Sequence, residues 1–348
     1  MSSKKASAKR TALIVLCVFL AVVLSVLIGL TIYMESLFGL INKTNPNETQ
    51  DYMSLEEYLQ GEENNEDITG PEEDPNSVEW GDIDPIVANK NIINILLIGQ
   101  DQRKTGGNAR SDAMILCTIN KSAKTITMTS FLRDMYVQIP GKNDNRINAS
   151  YAMGGVPLLN KTLEKNFGVT VDGNVEIGLY GFKDVIDMVG GVDIELTAAE
   201  AKYLNKRGNW DLEANAGTWN LKEGMNHLNG SQALAYSRVR KVGNGDFGRT
   251  NRQRIVLSKL MEKAKGMSLS EVNALLKKVL PLITTDLTDQ EIMSYVMVIF
   301  PMLKDLTIQT QQIPAKNAYR MSMVNKMSVL IPNLKKNRAV LEEIMSAE

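Results

Sequence analysis

Three apolar runs rich in β-branched residues constrain this chain more than any other feature: NIINILLIG (91–99), DAMILCTI (112–119) and TITMTSFL (125–132). The first connection is rich in Gly and charge, and the second is the short NKSAK. Such connections favour an antiparallel meander, because parallel neighbours need a crossover of about a dozen residues or more. The runs are nearly continuous in hydrophobicity, so both faces of the sheet must be covered. Apolar periodicity predicts covering helices over 155–166, 180–189, 251–266, 270–280 and 288–303. The pattern is that of an α/β domain. In the meander, the end of the first run, the start of the second and the end of the third share one edge. That edge carries Asp101, Asp112 and Arg133.

The stretch SRVRKVGNGDFGRTNRQR (237–254) holds five arginines and one lysine against a single acid, Asp246. A helix beginning near Thr250 places Arg249, Gln253, Val256, Leu257, Leu260 and Ala264 within an arc of about 100°. Its apolar stripe therefore runs into Arg249 and Gln253, with Arg252 and Arg254 on either side. If SRVRK is extended, Arg238 and Arg240 point to the same side, because strand side chains alternate. Guanidinium groups bind phosphate oxygens bidentately and stay charged. The N-terminus of the 251–266 helix adds backbone donors, and Gly243, Gly245 and Gly248 allow close approach of an anion. A solvated basic turn accounts for the composition alone. Arginines that continue a buried stripe favour an anion site over that turn, because burying them without an anion is costly, and the turn stays open as the alternative. Asp101 and Asp112, with no His or thiolate near them in sequence, suit a hard cation such as Mg²⁺, or Mn²⁺ in its place.

The rest of the composition excludes more than it suggests. The one histidine, His227, rules out any site that needs two imidazoles. Cys17 and Cys117 both sit in apolar runs and do not read as a disulfide. Residues 11–34 form a run of 24 positions without a charge, about 36 Å long as a helix, which spans a bilayer. Lys4, Lys5, Lys9 and Arg10 precede it, so residues 1–10 are expected in the cytoplasm and the rest outside. Residues 44–89 carry fourteen acids and no Lys or Arg, and 35–89 read as an acidic, disordered linker that holds the domain off the membrane. From residue 90 to 348 there are 34 basic and 25 acidic side chains, a local net of +9, which favours polyanionic partners. The chain shows no helix-turn-helix pattern and no aromatic stacking platform, and its topology puts the domain away from nucleic acid.

Taken together, NILLIGQDQR, ARSDAMIL, TSFLRDMYVQIPG, RINASYAMGG, GFKDVIDMVGGVDIEL, LNGSQALAYSRVR and GDFGRTNRQ resemble the LytR-CpsA-Psr family over about residues 92–260. The resemblance implies an α/β/α sandwich with a central mixed, largely antiparallel sheet, preceded by one transmembrane helix. It implies a Mg²⁺-assisted phosphotransferase anchored in the cell membrane. The donor would be a phosphate-linked glycopolymer, such as teichoic acid or capsule, on a polyprenyl pyrophosphate carrier, and the acceptor a peptidoglycan hydroxyl. By motif, the metal ligands fall on Asp101 and Asp112. The pyrophosphate-binding groups fall on Arg110, Arg133, Arg238, Arg240, Arg249 and Gln253. Asp134 and Asp246 are the candidate proton acceptors or arginine-orienting groups beside the catalytic Arg133, Arg238 and Arg240. Phe182, Val185, Ile186 and Val189 are candidates for lining a lipid tunnel, with ordinary core packing the competing and favoured reading of the four. The third motif reads TSFLRD where many members have Ser-Ile-Pro-Arg-Asp, which keeps the Arg-Asp pair. Beyond about residue 268 no family motif follows, and that region is expected to serve packing. A polyprenyl-pyrophosphate hydrolase and a non-catalytic lipid-binding protein would use the same clamp.

Overall fold

A computed structural model describes residues 32–44, 52–60, 68–87, 89–100, 111–206 and 219–346. Seven strands form the central sheet: β1 (Asn42–Lys43), β2 (Ile92–Gln100), β3 (Ser111–Asn120), β4 (Thr125–Phe131), β5 (Gly173–Gly178), β6 (Ile283–Thr285) and β7 (Thr307–Ile313). Their order is β1-β6-β5-β2-β3-β4-β7. The expected meander β2–β3–β4 is antiparallel. The sheet as a whole is mixed but not largely antiparallel: β5 joins β6 antiparallel, whereas β5–β2, β4–β7 and β1–β6 are parallel. Strands β5 and β7 return after long helical excursions, which is how parallel neighbours arise and why short loops did not reveal them.

Alternation divides the sheet into two packed faces. Leu96, Ile98, Met114 and Leu116 bury against helix α1 (Ile147–Phe167) and the C-terminal helix Leu334–Ser346. Ile93, Ile115, Cys117 and Ile119 face the other way. On that second side lie α2 (Leu179–Met188), α3 (Ala198–Leu204), α4 (Gly230–Arg238), α5 (Gly245–Lys265), α6 (Leu269–Val279) and α7 (Asp289–Ile299). Capping boxes built on Thr197, Asn229, Ser268 and Thr288 fix the starts of α3, α4, α6 and α7. Helix α1 is two helices joined at Gly154 and Gly155. Gly155 takes φ +59°, and a Cβ there would come within 2.9 Å of the Tyr52 ring, so only glycine fits.

Two expectations about the chain's course are corrected. The helix expected at 251–266 begins at Gly245. Gly245 and Gly248 lower intrinsic propensity there, but Asp246 in the first turn favours the positive helix end and pairs with Arg249 one turn on. The acidic linker is also in large part folded. Tyr58 is fully buried and its hydroxyl donates to Asn148 Oδ1 at 2.9 Å, while Ile68, Val78 and Ile86 enter the core. Glu72 and Glu73 pair with Met323 and Val324, in the hairpin Tyr319–Val324/Met327–Pro332. Widely spaced apolar anchors supply the burial that the acidic average conceals. Residues 11–31 lie outside the described residues, and among those described no helix is long and apolar enough to cross a membrane.

Tyr58→Ala should therefore destabilise the domain by about 3–5 kcal/mol, as for other buried aromatics. At about 2–4 °C per kcal/mol for a large domain, thermal unfolding should show a midpoint lower by several degrees. A solvated spacer would show no change.

Candidate active site

The strand edge assembles the first half of the site. β2 and β3 lose register between Gly99 and Gln100, a bulge that aims the edge away from regular pairing. Asp112 is the second residue of β3, and Arg133 follows β4 by two residues. Arg133 Nη1 donates to Asp112 Oδ1 at 2.8 Å, so the predicted edge brings these two together. Asp101 and Arg110 lie outside the described residues.

The second half comes from the α4–α5 junction. SRVRK is not extended: Ser237 and Arg238 finish α4, and Val239 leaves the helix at φ −59°, ψ 123°. That step still turns Arg238 and Arg240 into one cavity. Arg252 pins the junction, donating from Nε to Glu200 Oε1 at 2.7 Å, from Nη1 to the Val239 carbonyl at 3.1 Å and from Nη2 to the Val242 carbonyl at 2.7 Å. From the second turn of α5, Arg249 Nη2 reaches Asp246 Oδ1 at 2.8 Å and donates to the Asp112 carbonyl at 3.3 Å. Arg240 Nε and Arg133 Nε stand 3.8 and 3.9 Å from the same Asp246 oxygen. Below them, fully buried Asp134 lies 3.7 Å from Arg133 Nε and 3.6 Å from Arg146 Nε. Arg146, Glu200 and Arg252 were not singled out as site residues by sequence. Arg146 opens the RINASYAMGG motif and Arg252 flanks the buried stripe, but only the fold gives them partners.

The electrostatics follow from this crowding. Burial alone would raise the Asp112 carboxyl, but the charges of Arg249, Arg133 and Arg240 overcome it and hold the group well below the ordinary carboxylate range. Burial lowers the Arg240 guanidinium to about 10, with Arg249 and Arg133 adding repulsion. Asp246 is shifted upward by burial, with Arg249 pulling against the shift and Asp134 reinforcing it. Arg249 is 2 % exposed, and its Nε and Nη1 have no hydrogen-bond partner among the described residues.

A cavity of about 520 Å³ opens from this edge between the sheet and the helices. Asp112, Arg238, Arg240, Arg249 and Gln253 line its polar part. Leu97, Ile115, Ile177, Phe182, Leu234 and Leu257 make its apolar part, and Tyr203 and Trp219 add aromatic wall. Of the expected tunnel residues, only Phe182 contributes. Ile186 is buried in the helical core instead, and Val185 and Val189 are off the lining, because only one side of α2 meets the cavity. Asp134 and Asp246 are also off the lining, and so is Arg133, which meets the cavity only through its bond to Asp112. His227 pairs with Asp193 at 2.7 Å on the solvent-exposed face of the antiparallel strand pair Val192–Leu196/Gly224–Leu228, away from the cavity. Such a space accepts a molecule with an anionic head and an apolar tail. Asp112, ionised and on the wall, fits one position around a hard cation; no group of three potential ligands occurs among the described residues.

The fold and site define a mixed-sheet sandwich with an arginine-rimmed apolar cavity. The chain belongs to the LytR_cpsA_psr family, whose model matches residues 52–345. It is 35 % identical over 223 residues to the polyisoprenyl-teichoic acid–peptidoglycan teichoic acid transferase TagU of Bacillus mycoides, covering 63 % of this chain and 67 % of that one. With TagU of Bacillus licheniformis it shares 38 % identity over 184 residues, 52 % of this chain and 55 % of that one. The matches thus span about half to two thirds of these relatives' length. The structure of Bacillus subtilis TagV aligns with a TM-score of 0.59 at 29 % identity, covering 75 % of this chain and 99 % of that one. TagT with bound octaprenyl pyrophosphate lipid aligns with a TM-score of 0.57 at 26 % identity, covering 77 % and 95 %.

Asp112→Asn should lower stability by about 1–3 kcal/mol at pH 7, because it removes one of the two carboxylates the arginines share. The folded carboxyl titrates below its unfolded value of about 3.9, so its contribution is complete above that value and is lost as pH falls toward the folded one. Denaturant titrations should show the gap between wild type and variant narrowing below about pH 4.

Proposed function

We propose that this chain is an extracytoplasmic phosphotransferase that moves a teichoic-acid-like glycopolymer from a polyprenyl pyrophosphate carrier to a peptidoglycan hydroxyl. The observation that carries the reading is the continuity of the arginine edge with an apolar cavity. It is supported by relatives named as teichoic acid transferases and by a structural neighbour named with an octaprenyl pyrophosphate lipid. Arg133, Arg238, Arg240, Arg249 and Gln253, with Arg110, hold the two phosphates, and the prenyl chain lies along Phe182, Leu234 and Leu257. Phosphoryl transfer asks mainly for positioning and charge neutralisation, which an arginine-rich site provides. The acceptor oxygen bonds to the glycan-bearing phosphorus, the bond to polyprenyl phosphate breaks, and the departing phosphate takes up the hydroxyl proton. Asp134 and Asp246 are buried behind the arginines and orient them. Asp101 and Asp112 would hold Mg²⁺, or Mn²⁺, which when bound supplies further neutralisation of the phosphate oxygens. The uncharged run at 11–34 anchors the chain in the cell membrane with its N-terminus inside.

The test incubates the full chain with a short-chain lipid-pyrophosphate glycan and a peptidoglycan oligosaccharide. Wild type should give a phosphodiester-linked conjugate, and Arg238→Ala/Arg240→Ala should reduce its rate by about 100-fold or more. Free glycan phosphate without conjugate would identify a hydrolase, and bound but unchanged donor a carrier-binding protein. Leu257→Trp should fill the cavity and weaken binding of a long-chain donor, leaving inorganic pyrophosphate binding little changed in calorimetry.

A further inference from the structure

Strand direction ties the N-terminal stem to the arginine edge. β2 ends at Gly99 and Gln100, beside Asp112, and the parallel β5 brings Ile177 and Gly178 to the same edge. β6 runs antiparallel to β5 with Ile283 opposite Ile177, so the chain enters β6 from that edge. β1 is parallel to β6, with Asn42 opposite Thr284, so the stem also arrives from there. Contacts agree with the register. Asn42 Nδ2 donates to the Pro281 carbonyl at 2.8 Å, the Tyr33 hydroxyl donates to Asn273 Oδ1 in α6, and Lys277 Nζ lies 5.4 Å from the Tyr33 ring centroid. The first turns of α2 close on the same place: a Cβ at Gly181 would lie 3.3 Å from the Leu282 side chain.

This edge also exposes apolar side chains that none of the described residues covers. Ile32 is 61 % exposed, Tyr180 58 % and Leu276 38 %, and Lys277 and Lys278 are exposed beside them. Amphipathic aromatics, aliphatics and lysines side by side suit the boundary between acyl chains and lipid phosphates. The chain preceding Ile32 is uncharged back to Thr11, and the ordered stem follows it directly, so an acidic spacer does not intervene between membrane and sheet.

We propose that the arginine edge rests on the outer surface of the bilayer, with the start of α2 and the end of α6 as the contact. The inference rests on the reading of residues 11–34 as a membrane anchor. It sets the pyrophosphate clamp at headgroup level, where Leu179 and Phe182 of α2 form the wall a prenyl chain would pass on leaving the bilayer.

The full chain, with Cys17→Ser, would be placed in vesicles of phosphatidylglycerol and phosphatidylcholine. An environment-sensitive dye would be attached at Tyr180→Cys, at Leu276→Cys, or at Ala123→Cys in the exposed turn between β3 and β4 at the opposite edge. Headgroup nitroxide lipids should quench the first two dyes severalfold more than the third. Equal quenching at all three sites, stronger quenching at 123, or none at 180 and 276 in a chain that co-floats with vesicles would overturn the orientation and leave the anchor intact. Failure to co-float would overturn both. No transferase activity enters this readout, so the outcome is separate from that of the conjugate assay.

Discussion

Everything at the arginine edge depends on two carboxylates shared among three guanidinium groups. Asp112 sits between Arg133 and Arg240, and Asp246 between Arg249, Arg240 and Arg133. Unit charges about 6 Å apart repel by about 3 kcal/mol at an effective dielectric of about 20, so three arginines would not stay together unaided. The carboxylates hold the cluster without neutralising it. On the proposed function, a phosphate that enters would meet donors already in place, and little reorganisation would oppose the binding.

Behind the cluster is a buried framework that never reaches the cavity. Arg252 ties Glu200 of α3 to two carbonyls of the α4–α5 junction, so the backbone that carries Arg238 and Arg240 is fixed from below. Arg146 and Asp134 do the same beneath Arg133, and Arg146 also donates from Nη2 to the Ser328 carbonyl of the C-terminal hairpin at 2.9 Å. The region beyond residue 268, without a family motif of its own, thereby supplies part of the support for Arg133, as well as strands β6 and β7. Buried ion pairs are expensive to form, and their return here is geometry. A guanidinium displaced by about 1 Å would lose its place against phosphate.

The meander and the amphipathic helices were legible because their signals are local. β2, β3 and β4 coincide with three apolar runs, and α2, α6 and α7 start within two residues of expectation. Asp112 and Arg133 could be placed on one edge because a short meander leaves no other arrangement. The parallel partners of β2 and β4 were not legible, since nothing near β5 or β7 announces where each will return. Arg252 and Arg146 were opaque for the same reason: their partners are distant carbonyls and carboxylates that exist only once the layers have packed. The acidic segment misled through its average. Tyr58, Ile68 and Ile86 are sparse among acids, but each is buried, and a few buried side chains are enough to order a strap of chain.

The same strap and stem constrain how the site can meet its substrate. Because β1 and β6 are the outermost pair on one side of the sheet, a stem that adds a strand there cannot swing freely about a flexible spacer. Its direction is set by hydrogen bonds to β6, and the edge from which it enters is the edge that carries the arginines. A site tethered through a long disordered linker would have to find a membrane-embedded pyrophosphate by diffusion and then orient to it. If residues 11–34 anchor the chain as proposed, a sheet laid directly on that anchor would meet the head group in one orientation, and the orientational entropy would have been lost in folding before any substrate arrives.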